Sequence, residues 1–394
     1  MQQESAARRI TVFDTTLRDG EQAPANAMSP QDKLRLALQI EALGVDSIET
    51  GFPASSPSEF EATRLISQNL TKAKFVTFCR AVRADIDKAV EAGGVDRHEV
   101  QVMATGSDLH LKHKRQITRK EAIDEVVDAV SYARSLGVES VSVPIEDASR
   151  GERDLLRAIT VSAVEAGADC FVIGDTSGCM TPEEYAGLIA DFREWAPSPV
   201  RISTHCHDDF GLALANAVAG LRAGADEVQV TLGGIGERAG NTALEELAAL
   251  LAYKGEQLGL RTDIRTEGMY AAYATLRDII RLEEPRNKAI FGTYAFGTAA
   301  GVHQQGVLRN PATYEYVEPA RFGRQRSILI GRHSGRSVLR HLLDELGVKV
   351  DEDRLTELYR DHVAERVGGD CDELSVVKER LARELGAVPV ATEV

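Results

Sequence analysis

The chain repeats one short pattern five times: ALGVDSIET (residues 42–50), AGGVDRHEV (92–100), SLGVESVSV (135–143), EAGADCFVI (165–173) and RAGADEVQV (222–230). Each copy contains a glycine suited to ending a helix, then small or acidic residues, then a β-branched run suited to a buried parallel strand. Helix-to-strand junctions that recur in this way indicate a series of βα units.

Less regular units complete the series. Eight candidate strands lie near residues 9–14, 46–51, 74–79, 98–104, 138–145, 169–174, 199–205 and 226–232. In the first intervening helix, Ser29 is suited to the N-cap and Pro30 to the first helical position. Eight such units in about 250 residues predict an α/β fold, a closed (β/α)8 TIM barrel. An open doubly wound sheet is the alternative, but the first strand runs into DTTLRDG (14–20), which is not the expected glycine-rich phosphate turn.

The βα repeat stops near residue 258, and short amphipathic stretches such as residues 334–346 and 352–367 follow it. We therefore expect three segments. They are a TIM-barrel catalytic domain over residues 1–258, a helical C-terminal appendage over residues 259–386, and a loose tail over residues 387–394.

Composition and charge exclude several classes of protein. Hydrophobic residues make up 43% of the 394 residues and charged residues 27%, which is typical of a globular protein. The net charge of −15 opposes binding to nucleic acid or anionic membranes. The five cysteines are scattered and lack Cys-x-x-Cys spacing, which favours neither a disulfide framework nor a structural zinc site. The N-terminal MQQESAARRI has no apolar core of signal-peptide length, and no apolar run approaches roughly 18 residues, so we expect a cytoplasmic protein.

One histidine pair suggests a metal site. Residues two apart in a strand point to the same face, so His205 and His207 of HCHDD can bind one cation together. A His-x-His pair alone is more often two ordinary histidines. Cys206, between them, should point to the other side of the strand and belong to the core.

The position of other polar residues strengthens the metal hypothesis. Active sites of TIM barrels lie where the strands end. Nearly all the distinctive polar residues follow predicted strand ends: Asp14, Arg18, Asp19, Glu49, His110, Glu146, Asp147, Asp175, Thr176, His205, His207 and Asn241. A carboxylate, two imidazoles and an amide oxygen at this rim form an open site for a divalent cation, with coordination positions left for a small anionic substrate.

Several segments carry a family resemblance. They are FDTTLRDGEQAP (13–24), IETGFPASSPSEFEA (48–62), EDASR (146–150), HCHDDFGLALANAVAGLRAGADEVQVT (205–231), GGIGERAGNTALEE (233–246), AGVHQQGVLRNPATYE (300–315) and GRHSGR (331–336). In this order they resemble the signatures of the 2-isopropylmalate synthase and homocitrate synthase family. These are acyl-CoA-dependent Claisen condensing enzymes of the DRE-TIM metallolyase group. The resemblance runs from about residue 10 to residue 340.

The resemblance implies roles for particular residues. The metal ligands are Asp19, His205, His207 and Asn241, and the divalent cation, which is Mg, Mn, Zn or Co, chelates the oxygens of a 2-oxo acid. Arg18 stabilises the developing oxyanion, and Thr176 holds the substrate carboxylate. Glu49, His110 and Glu146 match further polar residues of the pocket. In the appendage, His303 and Tyr314 match residues that reach the pocket of the other subunit, which implies a homodimer.

The implied reaction begins when a base removes a proton from the methyl group of acetyl-CoA. The resulting enolate attacks the ketone of the 2-oxo acid, and water then cleaves the thioester to release CoA and a 2-substituted malate. His303 paired with Glu146 is the candidate base, because an imidazole accepts a proton near neutral pH and a carboxylate can orient it. Tyr314 is a candidate proton donor or water-positioning group.

The identity of the 2-oxo acid stays open at this point. GFPASSPSEFEA and HLKHK resemble 2-isopropylmalate synthases, which we take as the best match, whereas VSVPIEDASR and HCHDDFG resemble the homocitrate synthases of nitrogen fixation. Relatives that take 2-oxoglutarate for lysine synthesis carry an arginine where this chain has Ser142, which disfavours that substrate. Arg80 and Arg83 follow the third strand, so an acid with a second anionic group, such as phosphonopyruvate, is another alternative.

Other classes of reaction fit the sequence less well. A hydroxymethylglutaryl-CoA (HMG-CoA) lyase resembles a pattern with a cysteine in the glycine-rich loop after strand eight, and GGIGERAGNTALEE has none. A biotin-dependent carboxyltransferase would carry a lysine beside the metal, and no lysine follows the relevant strands. The basic run HLKHKRQITRK (110–120) could hold CoA phosphates, but such a run is more often a solvated face.

Overall fold

Eight parallel strands close into a barrel in the computed structural model, which describes residues 7–387. The strands are β1 (Thr11–Asp14), β2 (Ser47–Gly51), β3 (Lys74–Arg80), β4 (His98–Thr105), β5 (Ser140–Glu146), β6 (Cys170–Asp175), β7 (Arg201–Cys206) and β8 (Glu227–Val230). The barrel closes because β1 pairs in parallel with both β2 and β8. The predicted TIM barrel is confirmed, and each strand overlaps its predicted range.

A helix follows every strand of the barrel. These helices are α1 (Pro30–Leu43), α2 (Pro57–Asn69), α3 (Arg83–Gly93), α4 (Arg119–Ser135), α5 (Arg153–Ala166), α6 (Pro182–Trp195), α7 (Ala213–Arg222) and α8 (Leu244–Leu258). The predicted start of α1 is confirmed: the Ser29 hydroxyl accepts a hydrogen bond from the Asp32 N–H, and Pro30 occupies the first turn. Gly44 ends this helix at φ 91°, a left-handed conformation that glycine adopts without strain.

The amino-terminal end of the barrel interior is filled by an ion-pair network. Arg201 on β7 contacts Glu99 on β4 at 2.6 Å and Glu227 on β8 at 3.0 Å. Since β7 and β4 are not neighbours, the Arg201–Glu99 pair crosses the interior. Charged groups that are paired in this way close one end of the barrel, and the opposite, carboxyl end is left for chemistry.

The buried His98 at the start of β4 makes the stability of the barrel sensitive to acid. Its ring stacks on Phe75 at 4.5 Å and hydrogen-bonds to the Gly94 carbonyl at 2.6 Å and the Thr77 hydroxyl at 2.8 Å. Burial lowers the pKa of His98 to about 4. The unfolded chain, where the pKa is about 6.5, therefore binds more protons between these values. The stabilisation is complete above pH 6.5 and is lost as the pH falls toward 4.

We expect this group alone to remove about 1.2 kcal/mol of the free energy of unfolding between pH 7 and pH 5.5. Urea unfolding at the two pH values should show a smaller loss for His98→Gln than for the wild type. Equal losses in the two proteins would contradict this assignment.

The first compact unit continues past the eighth helix. The strand Leu260–Arg261 pairs with Arg8–Arg9, and α9 (Met269–Ile280) packs on α1. This compact unit extends to Glu283, whereas the βα repeat ends near residue 258, and the predicted domain bounds stay a prediction. Because these additions have no βα pattern, the repeat alone does not reveal them.

The second unit starts at Glu284 and has its own apolar core. Its helices are α10 (Gly301–Arg309), α11 (Arg336–Glu345), α12 (Glu352–Tyr359) and α13 (Leu374–Leu385). A small sheet accompanies them, in which β10 (Ser327–Gly331) pairs in parallel with β9 (Gly297–Thr298) and antiparallel with β11 (Cys371–Glu373). The predicted tail at 387–394 lies, beyond residue 387, outside the described residues. No helix within residues 7–387 is long and apolar enough to cross a membrane.

Candidate active site

Three potential metal ligands converge at the carboxyl end of the barrel. The Nε2 atoms of His205 and His207 lie 3.3 Å apart, and His205 Nε2 lies 3.8 Å from Asp19 Oδ2. One ligand atom from each of these residues lies within 4.8 Å of the others. His205 ends β7 and Asp19 follows β1, so the rim brings together side chains that are far apart in sequence.

Neighbouring amides orient this cluster. Gln229 Oε1 lies 2.8 Å from His205 Nδ1, which makes Nδ1 the protonated nitrogen and leaves Nε2 free to bind a cation. Asn241 Nδ2 donates to Asp19 Oδ1 at 2.7 Å. Asn241 Oδ1 is buried and has no hydrogen-bond partner within residues 7–387. A buried, unpaired amide oxygen beside a carboxylate and two imidazoles fits a divalent cation, so the donor set matches the implied metal.

The loop after β8 passes close to the cluster at Gly236. A β-carbon at this position would lie 2.1 Å from Asn241 Nδ2 and 3.0 Å from Asp19 Oδ1. The backbone φ of 152° also disfavours a side chain. Only glycine therefore lets this loop approach the ligands without displacing them.

The charge of the cluster suits a dication. Burial lowers the pKa of His205 to about 4, and burial also lowers the pKa of His207, so both imidazoles are neutral near pH 7. Burial alone would raise the pKa of Asp19, but the guanidinium of Arg18 and the two histidines hold it below its usual range. The three side chains therefore present one negative charge and two neutral nitrogens.

Arg18 lies beside the ligands in a fixed orientation. Its Nη1 donates to Asp19 Oδ2 at 2.9 Å, and its Nε forms an ion pair with Glu49 Oε1 at 2.8 Å. Glu49 is fully buried and accepts a 2.5 Å hydrogen bond from the Thr15 hydroxyl. The guanidinium also packs on the Phe78 ring at 4.9 Å. Glu49 thus lies behind Arg18 and holds it, whereas Arg18 itself faces the cavity.

A second polar group follows β5. Glu146 lies 3.2 Å from His110 Nδ1 and accepts from Lys114 Nζ at 2.6 Å. The Thr176 hydroxyl accepts a hydrogen bond from the Asp147 N–H at 2.9 Å, so its proton is available to another acceptor. The structure therefore brings the predicted residues His110, Glu146 and Thr176 to the same rim.

A cavity of 660 Å³ is lined in part by the three potential metal ligands. Its polar lining includes Arg18, Asp19, Gln101, Lys114, Glu146, Thr176, His205, His207 and Gln229. Its apolar lining includes Phe52, Phe78, Val82, Met103, Pro144 and Val172. The volume is sufficient for a small organic acid and the reactive end of a second substrate.

Sequence reasoning missed three of these residues. Gln101 and Gln229 are polar residues that each lie between two valines of a buried strand, which was an available signal. Lys114 belongs to the basic run that is more often a solvated face, yet it contacts Glu146 and lines the cavity. Arg80 also lines the cavity, but its guanidinium is held by both carboxylate oxygens of Asp85. Arg83 pairs instead with Asp128.

His303 and Tyr314 belong to the second unit. Their rings contact each other with centroids 4.2 Å apart and planes tilted by 35°. Both line a cavity of 600 Å³ formed within that unit. Their predicted contribution to another subunit's pocket stays a prediction.

Comparisons with known proteins agree with this geometry. The family model described as HMGL-like matches residues 9–275, and the model described as homocitrate synthase post-HMGL domain-like matches residues 290–366. A probable 2-isopropylmalate synthase of Ignicoccus hospitalis is 42% identical over 89% of this chain and 86% of its own length. The 2-isopropylmalate synthase of Sulfurisphaera tokodaii is 39% identical over 95% of both chains. A putative (R)-citramalate synthase of Methanopyrus kandleri is 40% identical over 89% of this chain and 68% of its own length.

Among solved structures, the hydroxymethylglutaryl-CoA lyase of Pseudomonas aeruginosa matches with a TM-score of 0.61. It covers 74% of this chain and 97% of its own, at 20% identity. Likeness at this level of identity concerns the fold alone.

Proposed function

Because the chain belongs to the HMGL-like family, together with the 2-isopropylmalate and citramalate synthases that match most of its length, we propose that it is an acyl-CoA condensing enzyme. It joins the methyl carbon of acetyl-CoA to the keto carbon of a 2-oxo acid. Water then hydrolyses the thioester, which releases CoA and a 2-substituted malate. The names of the relatives favour a product of the 2-isopropylmalate type, with homocitrate-type and phosphonate-bearing products as alternatives.

The metal site supports this proposal. Asp19, His205, His207 and Asn241 would hold the cation, and their oxygen and nitrogen donors accommodate Mg, Mn, Zn or Co. When bound, a divalent cation supplies Lewis acidity toward the keto and carboxylate oxygens of the acid. The observation that carries the proposal is the buried Asn241 Oδ1, which has no hydrogen-bond partner in the described part of the chain and lies beside the cluster of Asp19, His205 and His207.

Two residues of the barrel act on the 2-oxo acid. Arg18, held by Glu49 and Asp19, keeps a guanidinium at the cavity where negative charge develops on the keto oxygen. The Thr176 hydroxyl, whose oxygen accepts from the Asp147 N–H, donates its proton to the substrate carboxylate. Glu146 lines the cavity and contacts His110, and we assign this pair to the part of the pocket that receives the acetyl group.

Proton transfer from acetyl-CoA is assigned to a shared site in a homodimer. The partner subunit's His303, paired with Glu146, removes the methyl proton, and the partner's Tyr314 positions water or donates a proton. The ring contact between His303 and Tyr314 supports this assignment, because it places two proton-carrying groups together. Light scattering of the purified protein should give twice the chain mass. Cytoplasmic location also stays a prediction.

A direct assay tests the proposed reaction. The purified protein is incubated with Mg²⁺ or Mn²⁺, acetyl-CoA and one of five acids: 2-oxoisovalerate, 2-oxoglutarate, pyruvate, oxaloacetate or phosphonopyruvate. We expect free CoA, detected with a thiol reagent, with at least one acid and none when the acid is omitted. Failure to release CoA with every acid would overturn the proposal. The alternative, an HMG-CoA lyase activity, would instead form acetyl-CoA from HMG-CoA.

A further inference from the structure

We propose that Asp147 is a positioning residue whose backbone places Thr176 and whose carboxylate places His110. The inference rests on the proposed condensation, because it takes Thr176 as the residue that holds the 2-oxo acid and His110 as part of the site for the acetyl group. The starting observation is the backbone of Asp147, which is fully buried and has φ 60° and ψ 33°. Residues other than glycine rarely adopt this left-handed conformation, and at a functional site it persists only when surrounding contacts fix it.

The peptide bond between Glu146 and Asp147 bridges two neighbouring segments. Its carbonyl accepts a hydrogen bond from the Gly106 N–H at 2.8 Å, and its N–H donates to the Thr176 hydroxyl oxygen at 2.9 Å. The strand β5 ends at Glu146, and the chain turns at once into a one-turn 3₁₀ helix over Ala148–Arg150. A φ of 60° at Asp147 makes this turn while the peptide keeps both hydrogen bonds. The backbone of Asp147 therefore fixes the Thr176 hydroxyl as a donor beside the cavity that Thr176 lines.

The Asp147 carboxylate is bound from both sides. Its Oδ2 accepts from the Ser107 hydroxyl at 2.5 Å, and its Oδ1 accepts from Arg150 Nε at 2.8 Å. The Ser107 oxygen in turn accepts from the His110 N–H at 3.2 Å. On the ring of His110, Nε2 lies 3.6 Å from Asp147 Oδ2, and Nδ1 lies 3.2 Å from Glu146. The carboxylate thus holds both the backbone and the ring of His110 beside Glu146.

These contacts explain why an aspartate occupies a position whose backbone suits glycine. A glycine would adopt φ 60° without strain but would supply no acceptor for Ser107 or Arg150. An alanine would supply no acceptor either, and its β-carbon would oppose the left-handed backbone. The two substitutions therefore separate the effect of the backbone, which acts on Thr176, from the effect of the carboxylate, which acts on His110.

Steady-state kinetics of Asp147→Gly and Asp147→Ala test the inference, with the 2-oxo acid that releases most CoA. Both variants lose the carboxylate, so we expect kcat to fall about tenfold or more in each. Only Asp147→Ala should also raise KM for the 2-oxo acid, by about tenfold, because relaxation of its φ rotates the peptide away from Thr176. In Asp147→Gly this KM should stay within about twofold of the wild type. A general loss of stability would not produce this order, because glycine is otherwise the more destabilising substitution.

Two further sets of variants keep the test decisive. Ser107→Ala removes the contact with the carboxylate and leaves the Asp147 backbone unchanged. It should lower kcat without raising KM for the 2-oxo acid, which covers the case in which the Asp147 variants fail to fold. Arg97 supplies the matched control, because it is also left-handed, at φ 58°, and precedes β4 at the opposite end of the barrel. Arg97→Gly and Arg97→Ala should both keep the wild-type kcat and KM.

The outcomes separate this inference from the proposed function. A KM for the 2-oxo acid that is no higher in Asp147→Ala than in Asp147→Gly would overturn the inference, and so would a wild-type kcat in Ser107→Ala. CoA release by the wild type would leave the proposed condensation intact in either case. Absence of CoA release from the wild type with every acid would instead overturn the proposed function itself.

Discussion

Replacing His207 with alanine is expected to remove the bound metal and abolish turnover. The three ligand atoms of Asp19, His205 and His207 lie within 4.8 Å of one another, and loss of one imidazole leaves the cation with an incomplete donor set. Asp19, His205 and the Asn241 amide oxygen would remain, which leaves the cation with three of the four proposed donors. We expect metal content after dialysis to fall to a small fraction of one per chain and CoA release to fall below detection.

Metal content is measured by atomic emission and turnover by the thiol assay, both against a matched control. Cys206→Ser alters the residue between the two histidines, which is buried and contributes no ligand atom to the cluster. It should retain metal and turnover. The chelation model would be contradicted if His207→Ala kept full activity after complete removal of divalent cations.

Replacing Arg18 with glutamine is expected to lower kcat by about 10²–10³-fold while the metal stays bound, an effect typical of losing one group that stabilises an oxyanion. Arg18 contacts both Asp19 and Glu49, and its guanidinium faces the cavity. Glutamine cannot supply the positive charge that offsets the growing negative charge on the keto oxygen. KM for the 2-oxo acid should rise less than kcat falls.

The buried Glu49 requires a control in this experiment. Burial raises the pKa of Glu49, and loss of Arg18 would leave the carboxylate without its cationic partner. Arg18→Gln should therefore lower the free energy of unfolding, and the double variant Arg18→Gln with Glu49→Gln should recover part of it. If the double variant also recovered kcat, the role of Arg18 would be structural, and the catalytic assignment would fail.

The strands and the convergence of the candidate metal ligands were predictable for a local reason. A buried parallel strand needs a continuous β-branched run, and the helix before it often ends on glycine, so each βα unit is visible within about ten residues of sequence. His205, His207 and Asp19 could be placed at one rim because the carboxyl ends of all strands in a closed barrel share that rim. The Ser29 and Pro30 signals that start α1 are equally local.

Other features depend on contacts between distant segments. The hydrogen bond between His205 Nδ1 and Gln229 Oε1 joins β7 to β8. The ion pair between Lys114 and Glu146 joins residues that are 32 positions apart. The extension of the first unit to Glu283 results from packing of α9 on α1. No local pattern marks such contacts, because each residue could have found other partners or solvent.

The sequence by itself determined the barrel, its active rim and the donor types of the metal site, since periodicity and strand order are properties of neighbouring residues. Only the tertiary structure decided how those donors are oriented and which residues hold them. Gln229 selects the His205 nitrogen that faces Asp19, and Glu49 holds Arg18. The physical reason is that hydrogen-bond pairing and burial depend on which groups the closed barrel brings within about 3 Å of each other.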